Sequence, residues 1–200
     1  MNPLAILVVP LGYLLGSFPS GYLAGQWCAG VDIRQLGSGS TGATNVLRQV
    51  GKGPALVVFL VDVFKGSAAV IVARGLLGAG AYGWLVAAGL AALAGHIWPI
   101  WLGGKGGKAV ATGFGMLLGL VPAVGLACLG VFLTSLALSR IVSISSVLAA
   151  ASLPLLMAGA GAPGAYLGLG VVAAVMVIWR HRSNLARLLK GEEPRLGQKD

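Results

Sequence analysis

Residues 54–73 read PALVVFLVDVFKGSAAVIVA, a run in which only Asp62 and Lys65 carry charge. At about 1.5 Å of rise per residue, a helix of that length crosses the roughly 30 Å hydrocarbon core of a bilayer. Asp62 and Lys65 stand i,i+3, on one face of that helix. Charges taken out of water pair with one another, so the default reading is a structural ion pair. The alternative is that the pair anchors anion-binding loops nearby.

The same test applied outward finds further spans at 4–29, 82–102 and 164–179. Residues 109–158 are apolar almost throughout, but Pro122 and Arg140 divide them into 109–121, 123–139 and 141–158. The expected fold is therefore all-α, a polytopic integral membrane bundle of seven transmembrane helices in one domain over 1–200, with an interfacial segment at 180–200. Composition agrees: 57% of residues are hydrophobic and 10% charged, with mean hydropathy +0.90, whereas soluble domains are about 25% charged. Thirty-three glycines suit helices that approach closely in lipid. The first thirty residues hold no charge before Asp32 and an apolar run too long for a cleavable signal. No lipidation motif is visible at either end.

Charge placement sets the orientation. Arg34, Arg48, Lys52, Lys105, Lys108, Arg140 and the basic residues from Arg180 to Lys199 share one side if the spans number seven, and only Arg74 lies opposite. The positive-inside rule then puts the N-terminus outside and the C-terminus in the cytoplasm. The segment 109–121 is the shortest, about 20 Å as a helix, and a re-entrant pair is its alternative. Topology also explains the net charge of +9, so nucleic acid is not an expected partner. Cys28 and Cys128 lie in apolar segments without metal-ligand spacing. No inverted repeat is apparent.

Two polar stretches interrupt this background. GSGSTGATNVLRQVG at 37–51 has the letters of a dinucleotide fingerprint, but no strand precedes it and Asp62 falls within a span, so a Rossmann site is rejected. Its glycines, Gly37, Gly39 and Gly42, let backbone N–H groups converge, and a short helix from Ala43 to Val50, closed by Gly51, would turn its N-terminus to an anion. Ser38, Ser40, Thr41 and Thr44 add hydroxyls, Asn45 an amide and Arg48 a guanidinium; simple helix capping is the plainer alternative. GGKGGK at 103–108 lacks the Walker spacing, having Leu102 and Ala109 where that pattern needs Gly and Ser or Thr. Gly104, Lys105, Gly106, Gly107 and Lys108 still gather flexible backbone and two cations at the start of a helix; the plainer alternative is a topological signal with a hinge. His96, in GHIWPIW, is either a packed histidine or part of this site. In RHRSNLARLLKGEEPR at 180–195, Leu185, Leu188 and Leu189 share a face suited to the membrane surface, and His181 and Asn184, i,i+3, share another.

Taken together, GSFPSGYLAG, VDIRQLGSGSTGATNVLR, DVFKG, GHIWPIWLGGKGGKAVAT and RHRSNLARLLKGEE resemble the signature of the PlsY family, the bacterial acyl-phosphate:glycerol-3-phosphate acyltransferases, over nearly the whole chain. The resemblance implies a multi-pass protein of the bacterial inner membrane with a cytoplasm-facing site. It implies acyl transfer from acyl phosphate to the 1-hydroxyl of glycerol 3-phosphate, giving lysophosphatidic acid and phosphate, the first acylation of phospholipid synthesis. Its partners would be those two substrates, membrane lipid and a functional link to a soluble acyl-phosphate-forming enzyme, with no cofactor and no metal. By resemblance, the family's essential serine and arginine fall on Ser38 and Arg48, its glycerol-phosphate loop on Gly103 through Lys108, and its third motif on His181, Asn184 and Glu193. Ser40 departs from the asparagine common there.

The residue inventory suits such chemistry. Five carboxylates in all leave no basis for a Ser-His-Asp arrangement, and the thioester-type His-x4-Asp pattern is absent, since Trp101 follows His96 and Ala186 follows His181 at that spacing. An acyl phosphate is already activated, so the protein has mainly to place two anions and neutralise charge. Ser38, Arg48, Lys108, His181 and Asn184 are the expected catalytic set. Gly37, Gly39, Thr41, Gly42, Thr44, Asn45, His96, Gly104, Lys105, Gly106 and Gly107 are the expected binding set, and Asp62, Lys65 and Glu193 the structural one. A membrane transporter of an anionic solute is the alternative function.

Overall fold

A computed structural model describes residues 3–198. Lys199, expected within the interfacial segment, lies outside them. All regular elements among the described residues are helical, and the chain falls into two compact units, Met1–Leu120 and Val121–Asp200.

In the first unit a short 3₁₀ turn leads into α1, Val8–Ser17, and then α2, Ser20–Ala29. The break between them follows from Pro19, which has no N–H to donate and pushes Phe18 to an extended backbone at ψ 121. A 3₁₀ turn at Ile33–Gln35 and the loop after it reach α3, Ala43–Gln49, followed by α4, Lys52–Leu77, and α5, Tyr82–Ile97. After a second 3₁₀ turn at Ile100–Leu102, the glycine loop leads to α6, Val110–Leu120. Helix α4 outruns the expected 54–73 at both ends, because Pro54 sits in its first turn, where a missing N–H costs nothing. Gly78 stops it at the other end with φ 82.

Helices α1 and α5, like α4 and α6, meet at backbone-to-backbone distance. A methyl group on Gly16 would strike the Ala92 carbonyl, and one on Gly66 the Thr112 carbonyl. This is association by small residues, as lipid requires. It places Asp62 and Lys65 on the side of α4 that faces protein, with 1% and 4% of their surface exposed.

The second unit comprises α7, Pro122–Ser139, α8, Val142–Gly159, α9, Gly164–Arg180, and α10, Arg182–Leu189. Pro122 opens α7 at the position where proline is best tolerated, and Arg140 closes it in the left-handed region at φ 60. Helices α9 and α10 meet at a 54° bend. In α10, Leu185 and Leu188 are half-buried and Leu189 is exposed.

By length and composition, five helical segments can cross a membrane: Leu4–Ala29, Lys52–Leu77, Tyr82–Leu102, Pro122–Ser139 and Val142–Gly159, with a sixth if the bent α9–α10 pair counts as one span. The expected span at 109–121 is the exception. Ala109 takes φ 59, so the helix starts only at Val110 and its 11 residues reach about 16 Å, well short of the core thickness.

Candidate active site

The first polar loop is an exposed tip on a buried clamp. Gly37 at φ 53 and Gly39 at φ 66 occupy the left-handed region open chiefly to glycine, and the Ser38 they flank is exposed. Beneath it, Asn45, 3% exposed, uses its whole amide on main chain. Its two Nδ2 hydrogens are shared among the carbonyls of Ile33, Leu36 and Ser40 at 3.1, 3.0 and 3.0 Å, and its Oδ1 accepts from the Ser38 N–H at 3.1 Å. Asn45 thereby shapes the loop that carries Ser38. Ser40 and Thr41 are buried, whereas Thr44 and Arg48 are half-buried on α3. Gly42 heads α3 with no side-chain cap.

The second loop is laid along the end of α5. Gly106 N–H donates to Ile97 O and Gly107 N–H to His96 O, both at 3.1 Å. Both glycines are buried, Lys105 is exposed and Lys108 half-buried. A side chain on Gly106 would collide with the His96 carbonyl and the Pro99 ring, and one on Gly107 with His96 Nε2. The imidazole edge thus lies directly on the loop.

Behind His96 stands a buried polar cluster. Asp62 Oδ1 accepts from Lys65 Nζ at 2.7 Å and from Ser20 Oγ at 2.6 Å. Lys65 Nζ also reaches Phe18 O at 3.1 Å and His96 Nδ1 at 3.0 Å, and Thr112 Oγ1 lies 3.1 Å from the same Nδ1. The expected ion pair is present, and it also touches the histidine that edges the glycine loop.

Arg34 joins the two loops. It binds both oxygens of Asp32 through Nε and Nη2, the shortest contact being 2.7 Å, stacks 5.0 Å from the Tyr22 ring, and donates from Nη1 to Leu102 O at 3.3 Å, one residue before the second loop begins.

In the second unit, His181 Nδ1 lies 2.8 Å from the Val177 carbonyl. A carbonyl only accepts, so Nδ1 carries the proton and the basic atom of the neutral ring is Nε2. Asn184 Nδ2 donates to Glu193 Oε1 at 2.6 Å, Ser143 Oγ to the same oxygen at 2.8 Å, and Arg187 Nε to Oε2 at 2.9 Å. Glu193 therefore fastens the tail to α8 and α10 and fixes the Asn184 amide. Burial is the largest single influence on the Glu193 carboxyl and pushes it up. The hydrogen bonds from Asn184 and Ser143 and the Arg187 charge together outweigh burial and hold it below its ordinary 4.5.

The side-chain hydrogen bond from Arg34 chiefly holds Asp32 below its ordinary 3.8. A carboxyl depressed in the folded state stabilises fully above its unfolded value and loses that contribution as pH falls through the folded one. The expected outcome is a flat thermal midpoint from about pH 8 to about pH 5 and a decline below about pH 4. Glu193→Gln should already lack part of that stability at neutral pH and show a shallower acid decline.

Sequence reasoning missed Ser20, Arg34, Thr112, Ser143 and the left-handed Ala109. Arg34 carried a faint signal, standing two residues from Asp32, whereas Ser143 meets Glu193 across 50 residues and carried none. Among the described residues no group of three or more His, Cys, Asp and Glu side chains converges as a metal site would require.

Similarity to known proteins agrees with this geometry. A family model described as glycerol-3-phosphate acyltransferase matches residues 6–191. A glycerol-3-phosphate acyltransferase of Synechococcus sp. (strain CC9902) is 65% identical, with 98% of this chain and 96% of the relative covered. One from Prochlorococcus marinus (strain MIT 9313) is 68% identical, with 96% and 95% covered. Among solved structures, PlsY, an integral membrane glycerol 3-phosphate acyltransferase, matches in its glycerol 3-phosphate form at TM-score 0.92 and 39% identity, covering 96% of each chain. Its lysophosphatidic acid form matches at TM-score 0.88 and 38% identity, covering 96% of this chain and 94% of that one. With the helical architecture, the apolar spans and both glycine loops accounted for by one match along nearly its whole length, this chain belongs to the family of integral-membrane glycerol-3-phosphate acyltransferases.

Proposed function

We propose that the protein transfers a fatty acyl group from acyl phosphate to the 1-hydroxyl of glycerol 3-phosphate, releasing lysophosphatidic acid and inorganic phosphate. The observation that carries this reading is the pair of glycine loops tied together by Arg34, one raising Ser38 on a left-handed turn and the other backed by His96. Two anionic substrates need two such cradles side by side.

The hydroxyl of glycerol 3-phosphate attacks the carbonyl carbon of the mixed anhydride. The C–O bond to phosphate breaks, and the hydroxyl proton ends on the departing phosphate, so no acyl-enzyme is needed. Ser38, Arg48 and the N–H groups around Gly37, Gly39 and Gly42 hold the donor and neutralise the phosphate as it leaves. Lys105, Lys108, His96 and the backbone at Gly104, Gly106 and Gly107 hold glycerol 3-phosphate. Thr41 and Thr44 add hydroxyls for the donor beside the loop that Asn45 shapes through its main-chain bonds. Within the second unit, Asn184, its amide fixed by Glu193, and His181 are the residues assigned to the reaction, as the family resemblance implies. The whole chain serves this activity in the bacterial inner membrane, N-terminus outside and C-terminus in the cytoplasm, with the site facing the cytoplasm; the seven crossings of this topology include the short α6, which needs a locally thinned bilayer. The donor arrives from a soluble acyl-phosphate-forming enzyme.

Purified protein given palmitoyl phosphate and glycerol 3-phosphate should release phosphate and lysophosphatidic acid in equal amounts. Release no faster than that of Lys108→Ala would end the enzyme reading and leave anion transport to be tested by solute flux in vesicles.

A further inference from the structure

The contacts of Lys65 go beyond neutralising Asp62. Its ammonium has three N–H donors and no acceptor. One is directed to Asp62 Oδ1 at 2.7 Å, one to Phe18 O at 3.1 Å, and the third meets His96 Nδ1 at 3.0 Å. An imidazole nitrogen facing an ammonium donor at that distance must offer its lone pair. Of the two ring nitrogens, Nδ1 is therefore the acceptor and Nε2 carries the proton. Thr112 Oγ1, 3.1 Å from Nδ1, can lend a second donor to the same atom and cannot reverse the assignment while Lys65 is in place. The ring's other edge lies against Gly107, where a methyl group would collide with Nε2.

We propose that Lys65 is a positioning residue: by donating to His96 Nδ1 it fixes the tautomer whose Nε2–H is presented at the Gly106–Gly107 backbone, as a donor for the anionic oxygen bound there. This rests on the reading of that loop as the glycerol 3-phosphate cradle. The fixed tautomer matters because the opposite one would turn a lone pair toward a phosphate oxygen, and two acceptors repel. Asp62 and Ser20 have their place in the same device, holding the ammonium where it can reach the ring. His96, the ring itself, meets the ligand, whereas Lys65, Asp62 and Ser20 act through it.

Two measurements test this. Nitrogen-15 spectra of histidine-labelled protein, which contains two histidines told apart by His96→Gln, should show His96 protonated at Nε2. A proton on Nδ1 overturns the proposal, and this arm needs no activity. In the kinetic arm, Asp62→Asn with Lys65→Met removes both charges together, so that neither is left buried alone. The KM for glycerol 3-phosphate should rise about tenfold, with kcat changing by less than about threefold.

In a His96→Gln background, whose amide needs no tautomer set for it, the same pair of substitutions should add little, less than about twofold. A KM increase of the same size with and without His96 would mean that Lys65 only supports the fold, and would overturn the proposal. Parent protein that transfers no acyl group defeats the function reading, while the spectrum still decides the tautomer.

Discussion

Replacing Asp62 by alanine should destabilise the protein by about 3–5 kcal/mol, because it removes one partner of a buried charge pair and leaves the other uncompensated. The pair has no water to fall back on: Asp62 and Lys65 are 1% and 4% exposed, and the ammonium is held 2.7 Å from the carboxylate. The substitution strands two groups at once, since Ser20 Oγ also loses its acceptor. For a chain of this length a loss of that size lowers a thermal midpoint by on the order of 10 °C, measurable by heating detergent-solubilised protein and following loss of monodisperse material. Asp62→Asn with Lys65→Met should recover most of the loss, since removing both charges together is often close to neutral. A midpoint for Asp62→Ala within about 2 °C of the parent would mean the pair does not hold the bundle. The double variant also separates two roles in one cluster, because it should regain stability without regaining the parent's affinity for glycerol 3-phosphate.

That cluster also marks how far the sequence could be read. The i,i+3 spacing of Asp62 and Lys65 and the apolar length around them foretold both a span and an ion pair, since each depends only on local period and the cost of buried charge. The turns of the glycine loops were legible for a similar reason, since Gly37, Gly39, Gly103 and Gly104 take the left-handed backbone that glycine runs favour. What the sequence left open was everything fixed by contact between distant segments. His96 stood between packing residue and site residue until Lys65 and Thr112 appeared on one side of its ring and Gly107 on the other.

Asn45 shows the same limit from the other direction. Its place among hydroxyls suggested a ligand contact, whereas its amide is committed to main-chain groups between Ile33 and Ser40. The bounds of α6 were legible to within one residue at each end, 109–121 against Val110–Leu120, although no propensity warns that Ala109 will sit at φ 59. Arg34 looked like one more inside-positive charge and proved to be the bond between loops.

Gly106→Ala should cut kcat/KM about a hundredfold or more while leaving the helices intact. The added methyl group would meet the His96 carbonyl, the Pro99 ring and the Ile97 carbonyl. None of these is the flexible end of a side chain, so the loop itself has to move. Its N–H bond to Ile97 O, 3.1 Å in the parent, is then lost or bent, and the neighbouring Gly107 is lifted from His96 Nε2. A displacement of about 1 Å at a group that positions a reactant is enough for a loss of that order, and here it would separate Lys105, Lys108 and His96 from one another in a single step.

The companion Gly53→Ala is the control. Its methyl group meets nothing within 4 Å, and its place in the first turn of α4 suits alanine, so its activity should stay within about twofold of the parent. Phosphate release measured across glycerol 3-phosphate concentrations checks both. Equal activity in the two variants would mean that the close seating of the second loop against α5 is not what holds the substrate, whereas a loss confined to Gly106→Ala ties catalysis to a backbone that has room for no side chain.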